Sequence, residues 1–190
     1  MTALEVVVDG LRHVYGAEDE EVVALDDLTF RLPAGSTTAV MGPSGSGKST
    51  LTTILAGLQR PDRNLLGYGT VQDNVRFAQR GAARTDRRGL PAPLEVLQQV
   101  GIAHLAGQRA DGLSGGERQR LALAVGLATA PGVLLADEPT SQLDDRNRDA
   151  LVDLLCVLAG RMTVIVVTHD DRLGDRFDRR ILLRDGRATG

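Results

Sequence analysis

The fold is decided by the stretch Gly42-Pro43-Ser44-Gly45-Ser46-Gly47-Lys48-Ser49, which is followed by Thr50. It has the spacing G-x-x-x-x-G-K-[ST] of a loop that wraps around phosphate groups. The apolar run at residues 37–41 predicts a buried strand before the loop, and residues from Lys48 to about Leu58 predict a helix after it. A strand, a glycine-rich loop and a helix in this order predict a phosphate site at the helix N-terminus.

The residue types of this loop suit a nucleoside triphosphate. Glycines let successive backbone N–H groups point at phosphate oxygens. Lys48 is expected to reach the β- and γ-phosphates, and the Ser49 hydroxyl to ligate Mg²⁺. Lys48 is the only lysine among 22 basic residues, and a planar guanidinium does not replace a compact ammonium. The alternative interpretation is a Gly/Ser turn that happens to precede a lysine.

Two further motifs place polar side chains directly after predicted strands. The apolar run at residues 133–136 ends in Asp137 and Glu138. The first carboxylate suits Mg²⁺, and the second can polarise an attacking water. His169 follows the predicted strand at residues 163–167 and can hydrogen-bond a γ-phosphate. The ordinary alternatives are a solvated pair of acids and a structural histidine, which is the interpretation we give to His13 and His104.

The segment Leu113-Ser114-Gly115-Gly116-Glu117-Arg118-Gln119-Arg120 begins a predicted helix. Ser114 before two glycines is an ordinary helix N-cap, but its hydroxyl and the free N–H groups also form a second phosphate-binding surface. One nucleotide does not need two such surfaces from a single subunit. The simplest use is a symmetric dimer in which each chain closes the site of the other.

Composition bounds the class of protein. The chain has 190 residues, 42% hydrophobic and 25% charged, which fits one globular domain. Predicted strands alternate with helices, which indicates an α/β domain with a mainly parallel sheet. A net charge of −3 and 3% aromatic residues, with no Trp, argue against a nucleic-acid partner. A single cysteine excludes an internal disulfide, and without a signal peptide or membrane span we expect a cytoplasmic location.

Together these motifs resemble the ATP-binding subunit of ABC transporters, from about residue 4 to residue 187. GPSGSGKST, LSGGERQR, LLADEPT, SQLD and THD occur here in the order of that family. The sequences GPSGSGKST and LADEPT are most similar to those of the lipoprotein-release and macrolide-export branch of the family. The resemblance implies a single ATP-binding domain over residues 1–190. It would have a P-loop NTPase core, a shortened N-terminal antiparallel β portion, and a helical subdomain at about residues 73–128 that carries LSGG.

The resemblance also implies a role for each matched position. ATP and Mg²⁺ are the expected ligands, with Tyr15 stacking on adenine and Ser141 to Asp144 forming the D-loop. Asp137 corresponds to the Walker B aspartate, Glu138 to the catalytic base and His169 to the switch histidine. The expected partners are an integral membrane permease at the inner face of the membrane and a second ATP-binding subunit, identical or different. The γ-phosphate bound by that second subunit would contact the segment from Ser114 through Gly115 to Gly116.

One departure from the family pattern lies between the loop helix and the LSGG segment. GLQRPD runs almost directly into RNLLGYGTVQDNV, so a core strand and the glutamine that follows it in the family are missing. In a second alignment Gln72 is that glutamine and GYGTV its strand, although glycines at 67 and 69 weaken a strand. Three functions follow as hypotheses: a transporter ATPase subunit, a nucleotide-binding module without turnover, and a soluble ABC-type ATPase of DNA repair or translation.

Overall fold

The computed structural model describes residues 2–16, 21–56, 69–81, 89–141 and 143–189. The strands are β1 Val6–Tyr15, β2 Val22–Leu32, β3 Thr37–Met41, β4 Val133–Asp137, β5 Thr163–Val167, β6 Arg179–Arg184 and β7 Arg187–Thr189. The helices are α1 Lys48–Leu55, α2 Val71–Gly81, α3 Pro93–Gln99, α4 Gly115–Leu127, α5 Asp145–Leu158 and α6 Asp171–Gly174. Short 3₁₀ turns lie at Ala103–Leu105 and Ala110–Gly112.

The chain divides into two compact units. The helical unit comprises residues 61–131 and 140–154, and the sheet unit comprises residues 2–60, 132–139 and 155–190. The segment predicted as a helical subdomain, about residues 73–128, falls inside the helical unit, and its boundaries stay a prediction. Among the described residues, no helix has both the length and the apolar character that a membrane crossing requires.

A five-stranded sheet forms the centre of the sheet unit, in the order β4-β5-β3-β6-β7. The first four strands run parallel, and β7 is antiparallel to β6. Every residue of β3 and β5 is buried, as expected for parallel strands covered on both faces. The mixed α/β fold with a mainly parallel sheet is therefore confirmed. Parallel pairing brings the carboxyl ends of β3, β4 and β5 to one edge, where ligands bind in such folds.

Strands β1 and β2 form the predicted antiparallel portion, a separate two-stranded sheet. Its inward side chains, Val8, Leu25, Leu28 and Leu32, join a buried cluster that includes Val40 of β3 and Leu51 of α1. This packing attaches the hairpin to the strand and helix that flank the glycine-rich loop. The acidic turn expected between the two strands lies, for residues 17–20, outside the described residues.

Strand β4 differs from its prediction as a buried strand. Leu134 is buried, while the other residues of β4 are only half-buried. Among the described residues β4 pairs with β5 alone, so it forms an edge of the sheet, and an edge strand has no neighbour to cover its outer side. This is the arrangement expected if the adjacent core strand is absent.

Gln72 lies in the first turn of α2, where its backbone N–H donates to the Ala106 carbonyl. Before it, Thr70 forms only an isolated bridge with Arg109. Thr70 and Asp73 cap the helix reciprocally: the Thr70 hydroxyl donates to the Asp73 carboxylate at 2.7 Å and accepts from its N–H at 3.1 Å. Gln72 lies inside a helix, and Thr70 and Asp73 have the spacing of a helix N-cap. The alternative in which Gln72 ends a core strand is therefore wrong.

Other element ends differ only slightly from their predictions. Helix α1 ends at Leu55, and residues 57–58 of its predicted last turn lie outside the described residues. Helix α6 follows its N-cap Asp170 and ends at Gly174. It is therefore shorter than the predicted stretch from Asp170 to Phe177. The predicted helix start at Ser114 is confirmed.

Asp178 ties the start of β6 to the start of β3. Its Oδ2 accepts hydrogen bonds from Thr37 N and Thr37 Oγ1, both at 2.8 Å. These bonds, from the backbone first and the hydroxyl second, hold the pKa of the Asp178 carboxyl below its ordinary value. Because the folded pKa is lowered, the stabilisation is present above about pH 4 and disappears as the pH falls through the folded pKa.

We predict that Asp178→Ala lowers the stability of the sheet unit by about 1 kcal/mol at neutral pH, since two hydrogen bonds to a partly exposed carboxylate are lost. Thermal unfolding followed by circular dichroism, for both proteins between pH 7 and pH 3, measures it. The difference between wild type and variant should shrink as the pH drops below about 4. An equal difference at every pH contradicts the role given to the ionised carboxyl.

Candidate functional site

Two glycines of the loop allow a close approach that no side chain permits. Gly42 has φ 151°, and a Cβ there would lie 2.1 Å from the Leu183 carbonyl oxygen. Gly47 has φ 98°, and its Cβ would lie 2.4 Å from the Ala24 carbonyl oxygen. Real Cβ atoms do not come this close to backbone, so both positions require glycine. The loop backbone therefore lies in close contact with β6 at Gly42 and with β2 at Gly47.

Helix α1 starts with its N-terminal donors open. Gly47 is the N-cap and supplies no side-chain acceptor, and no acidic side chain lies in the first turn. Pro43, Ser44, Gly45 and Ser49 are exposed, whereas Ser46 and Thr50 are buried. The open N–H groups and the helix dipole favour an anion at this end. Ser46 is 2% exposed, and its backbone N–H donates to the Pro43 carbonyl at 3.3 Å.

The ammonium of Lys48 folds back over the loop. Its Nζ donates to the Gly42 carbonyl and to the Pro43 carbonyl, each at 2.7 Å. The positive charge therefore lies at the mouth of the loop, held by two neutral acceptors. A phosphate oxygen is a stronger acceptor for an ammonium than a neutral carbonyl, so this arrangement suits a cation that exchanges partners on ligand binding.

Asp137, Glu138 and His169 lie at the same edge of the sheet as the loop. Asp137 is the last residue of β4 and pairs with Val167 of β5. Glu138 follows with φ 47°, a left-handed conformation uncommon for a glutamate, and its N–H donates to the Val167 carbonyl at 2.8 Å. The strand order thus brings together two motifs that are thirty-one residues apart in the sequence.

Glu138 and His169 contact each other directly. Glu138 Oε1 lies 2.7 Å from His169 Nδ1, and Glu138 Oε2 accepts from the Thr168 hydroxyl at 3.3 Å. The side chain of His169 is 72% exposed and that of Glu138 is 30% exposed. The hydrogen bond that His169 donates to Glu138, and then the negative charge of Glu138, raise the pKa of His169 above its ordinary value. Lys48 opposes this shift, which shows that its charge is felt at the histidine.

The Ser114 segment lies in the helical unit, where a capping box holds it. Ser114 Oγ donates to Glu117 Oε2 at 2.7 Å, and Ser114 N donates to the same oxygen at 2.8 Å. Gly116 packs on the side chain of Asn147, and a Cβ there would lie 3.3 Å from that side chain. Asn147 is held in turn by Asp144, which accepts from its Nδ2 at 2.8 Å. Ser114 and Gly115 remain exposed.

Glu117 and Asn147 are supporting residues that the motif analysis did not single out. The S-x-x-E spacing of a capping box was sufficient to find Glu117. No local pattern identifies Asn147, because its contact with Gly116 joins two separate helices. Of the predicted D-loop, Gln142 lies outside the described residues.

Tyr15 ends β1 with 51% of its surface exposed. His13 contacts it edge-to-face, with ring centroids 4.7 Å apart and an interplanar angle of 80°. A flat aromatic face at this exposure is free to stack on a base. His13, which we interpreted as structural, supports that ring.

Mg²⁺ fits the oxygen donors near the loop. The Ser49 hydroxyl is exposed at the start of α1, and the Asp137 carboxylate is half-buried at the end of β4. Among the residues that the structure describes, no three acidic, histidine or cysteine side chains form a site able to hold a metal on their own. Such a donor set suits Mg²⁺, which binds through one or two protein oxygens together with substrate phosphates and water.

Comparison with known proteins yields a family and several relatives. The family described as "ABC transporter" matches residues 25–79 and 62–141. The lipoprotein-releasing system ATP-binding protein LolD of Granulibacter bethesdensis is 32% identical, over 92% of both chains. The aligned region spans 210 positions and is therefore longer than this chain. The relative thus carries residues without a counterpart here, which agrees with the missing segment.

Solved structures show the same fold. The ATP-binding cassette MJ0796, in a dimeric post-hydrolysis state bound to ADP and Pi, is 28% identical with a TM-score of 0.79, covering 98% of this chain and 97% of the other. A second dimeric structure of MJ0796, described as a bacterial ABC transporter cassette, is 27% identical with a TM-score of 0.81 over the same shares. The cbiO1 protein of Clostridium perfringens, part of the transporter complex cbiONQ, is 24% identical with a TM-score of 0.81, over 100% of this chain and 88% of the other, which supports the fold alone.

We predict that His169 titrates above about pH 6.5 in the nucleotide-free protein and that Glu138→Gln returns its midpoint toward that value, since the amide removes the negative charge. Imidazole resonances followed by NMR between pH 5 and pH 9 measure both midpoints. His13→Gln and His104→Gln, which remove the other two of the three histidines, assign the signals. A His169 midpoint unmoved by Glu138→Gln contradicts the contact.

Proposed function

The chain belongs to the ABC transporter family as an ATP-binding subunit with ATPase activity, and from this premise we propose that the loop Gly42 to Ser49 holds the triphosphate of ATP. The observation that carries the proposal is the close approach of Gly42 and Gly47 to neighbouring backbone. It leaves main-chain N–H groups as the surface of the loop, at the open N-terminus of α1. Anion binding follows from this arrangement of donors.

Lys48 supplies the charge at this site. Its ammonium donates to the Gly42 and Pro43 carbonyls, each at 2.7 Å. When ATP binds, it moves to the β- and γ-phosphate oxygens, where an ion pair with a multiply charged anion replaces two neutral contacts. Ser49 and Asp137 would hold Mg²⁺ together with the phosphates, and the ion supplies neutralisation of their negative charge. Tyr15 offers its exposed ring to the adenine.

Glu138 and His169 have separate roles in the hydrolysis step. Glu138 accepts a proton from the attacking water as general base, and His169 donates a hydrogen bond to the γ-phosphate. Their side chains contact each other, with Glu138 Oε1 2.7 Å from His169 Nδ1. A γ-phosphate draws the imidazole toward itself, and Glu138 is then released to orient water. The pair thereby links base activity to the presence of the substrate.

We infer that two chains act together. The exposed Ser114 and Gly115 at the start of α4 offer a second set of donors, which would contact the γ-phosphate bound by a partner subunit. The dimeric MJ0796 structures support a dimer, and similarity to LolD, the ATP-binding protein of a lipoprotein-releasing system, supports a membrane permease as a partner. A position at the inner face of the membrane, reached through that permease, follows.

The other two hypotheses are not favoured by the comparisons. Similarity to LolD runs along nearly the whole chain, which favours a transport subunit over a soluble ATPase of DNA repair or translation. A module without turnover is disfavoured because Lys48, Asp137, Glu138 and His169 are all retained at one sheet edge. We propose that these residues act without the missing glutamine, and that the permease determines the cargo.

Lys48→Ala should weaken ATP binding at least tenfold, because the phosphate loses its cation. Glu138→Gln should keep ATP binding and lower the rate of phosphate release by about 10²- to 10⁴-fold, the range for loss of a general base. Calorimetry and a steady-state phosphate assay with Mg²⁺ measure these effects. Glu21→Gln, the same change at an exposed residue, is the control. Full turnover by Glu138→Gln refutes its role.

We further expect Glu138→Gln to dimerise when ATP is added, because unhydrolysed nucleotide keeps two chains together. Adding Gly115→Glu should abolish the dimer: the new carboxylate is tolerated in the first turn of α4 but repels the partner's γ-phosphate. Gly115→Ala is the matched control and should preserve the dimer. Sedimentation velocity reads the oligomeric state, and a dimer unaffected by Gly115→Glu contradicts the role of this segment.

A further inference from the structure

The first turns of helices α4 and α5 contact each other inside the helical unit. A Cβ built on Gly116, the second residue of α4, would lie 3.3 Å from both Cγ and Oδ1 of Asn147, the third residue of α5. This is closer than the favourable carbon–carbon separation of about 3.5–4.0 Å. Glycine is a poorer helix former than alanine, so the packing of Asn147 supplies a physical reason for glycine at this helical position.

Asp144 holds Asn147 with both of its carboxylate oxygens. Oδ1 accepts from the backbone N–H of Asn147 at 2.9 Å, the bond of an N-cap residue, and Oδ2 accepts from Asn147 Nδ2 at 2.8 Å. These bonds, from the backbone first and the side chain second, hold the pKa of the Asp144 carboxyl below its ordinary value. Hydrogen bonds to an ionised acceptor are stronger than those between neutral groups. The side chain of Asn147 therefore has a fixed position beside Gly116.

Asn147 thus connects two motifs that lie apart in the sequence. On one side it is bonded to Asp144, the last residue of SQLD, and on the other it packs on Gly116 of LSGG. Ser114 and Gly115 are exposed next to this contact. The N–H groups of a first helical turn have no partner within their helix, and their direction depends on how that turn is held. Asn147 is the side chain that contacts this turn at Gly116.

We propose that Asn147 is a positioning residue that holds the first turn of α4 in the orientation in which it contacts the γ-phosphate bound by a partner subunit. Asn147 does not touch the nucleotide. It acts through Gly116, whose Cα it packs against, and Asp144 keeps it in place. This rests on the proposed function, because it requires two chains to share the nucleotide.

A double-mutant cycle at residues 116 and 147 tests this role in the Glu138→Gln protein with ATP, by sedimentation equilibrium. Gly116→Ala displaces the Asn147 side chain, and Asn147→Ala removes the support of the turn, so each should weaken the dimer about tenfold. In the double variant the new methyl group fills part of the space that Asn147 leaves, and the loss should not exceed that of one single variant. Losses that multiply, to about a hundredfold, show independent residues and overturn the proposal.

Asn147→Asp tests the bond to Asp144 separately from the packing. The carboxylate keeps the shape of the side chain but replaces a donor with a second negative charge beside Asp144, so the dimer should weaken as it does in Asn147→Ala. Asp149→Ala, at an exposed position of the same helix, is the control and should dimerise like the Glu138→Gln parent. If Asn147→Asp also dimerises like the parent, Asp144 does not position the asparagine and the proposal is wrong.

ADP binding distinguishes positioning from general damage to the fold. ADP lacks the γ-phosphate, and the loop at residues 42–49 belongs to the sheet unit, so calorimetry should give the same ADP affinity for the parent and every variant. An ADP affinity that falls together with dimer formation indicates a structural role and contradicts the proposal. If the parent binds ADP but forms no dimer with ATP, the two-chain function fails and the proposal with it. A dimer whose losses multiply removes the proposal alone.

Discussion

The close approach of the loop backbone to its neighbours is the constraint on which the rest of the structure depends. Gly42 lies against the carbonyl of Leu183, and Gly47 lies against the carbonyl of Ala24. Since those acceptors belong to β6 and to the β1–β2 hairpin, the loop forms correctly only when the sheet and the hairpin are both in place. Packing of Leu25 and Leu51 in one buried cluster provides that support, and the proposed nucleotide site is thereby coupled to the folding of the sheet unit.

The carboxyl ends of the parallel strands bring the candidate site residues together beside this loop. Parallel pairing of β3, β4 and β5 brings Lys48, Glu138 and His169 to one side, where the contact with Glu138 raises the pKa of His169. Strand β4 keeps its pairing with β5 along its whole length even though it is an edge strand among the described residues. The position of Glu138 is therefore set by β5, through the bond from its N–H to the Val167 carbonyl.

Local spacing was sufficient to predict the loop, the helix start at Ser114 and the strands β3 and β5, because each depends on residues close in sequence. The half-exposure of β4 was not predictable in this way, since burial of a strand depends on whether a neighbour covers it. The contact between Glu138 and His169 follows from strand order, which is a property of the whole sheet. The packing of Asn147 on Gly116 likewise joins residues that no sequence pattern connects.

Main-chain N–H groups of the loop are proposed to hold the phosphates of ATP. Hydrogen–deuterium exchange of peptides covering residues 42–50, with and without ATP and Mg²⁺, measures those groups directly. Strong protection of this segment is expected on ATP addition, and no such protection with adenosine, which lacks phosphates. Exchange in the loop that ATP leaves unchanged, while ATP is shown to be bound by calorimetry, would contradict it.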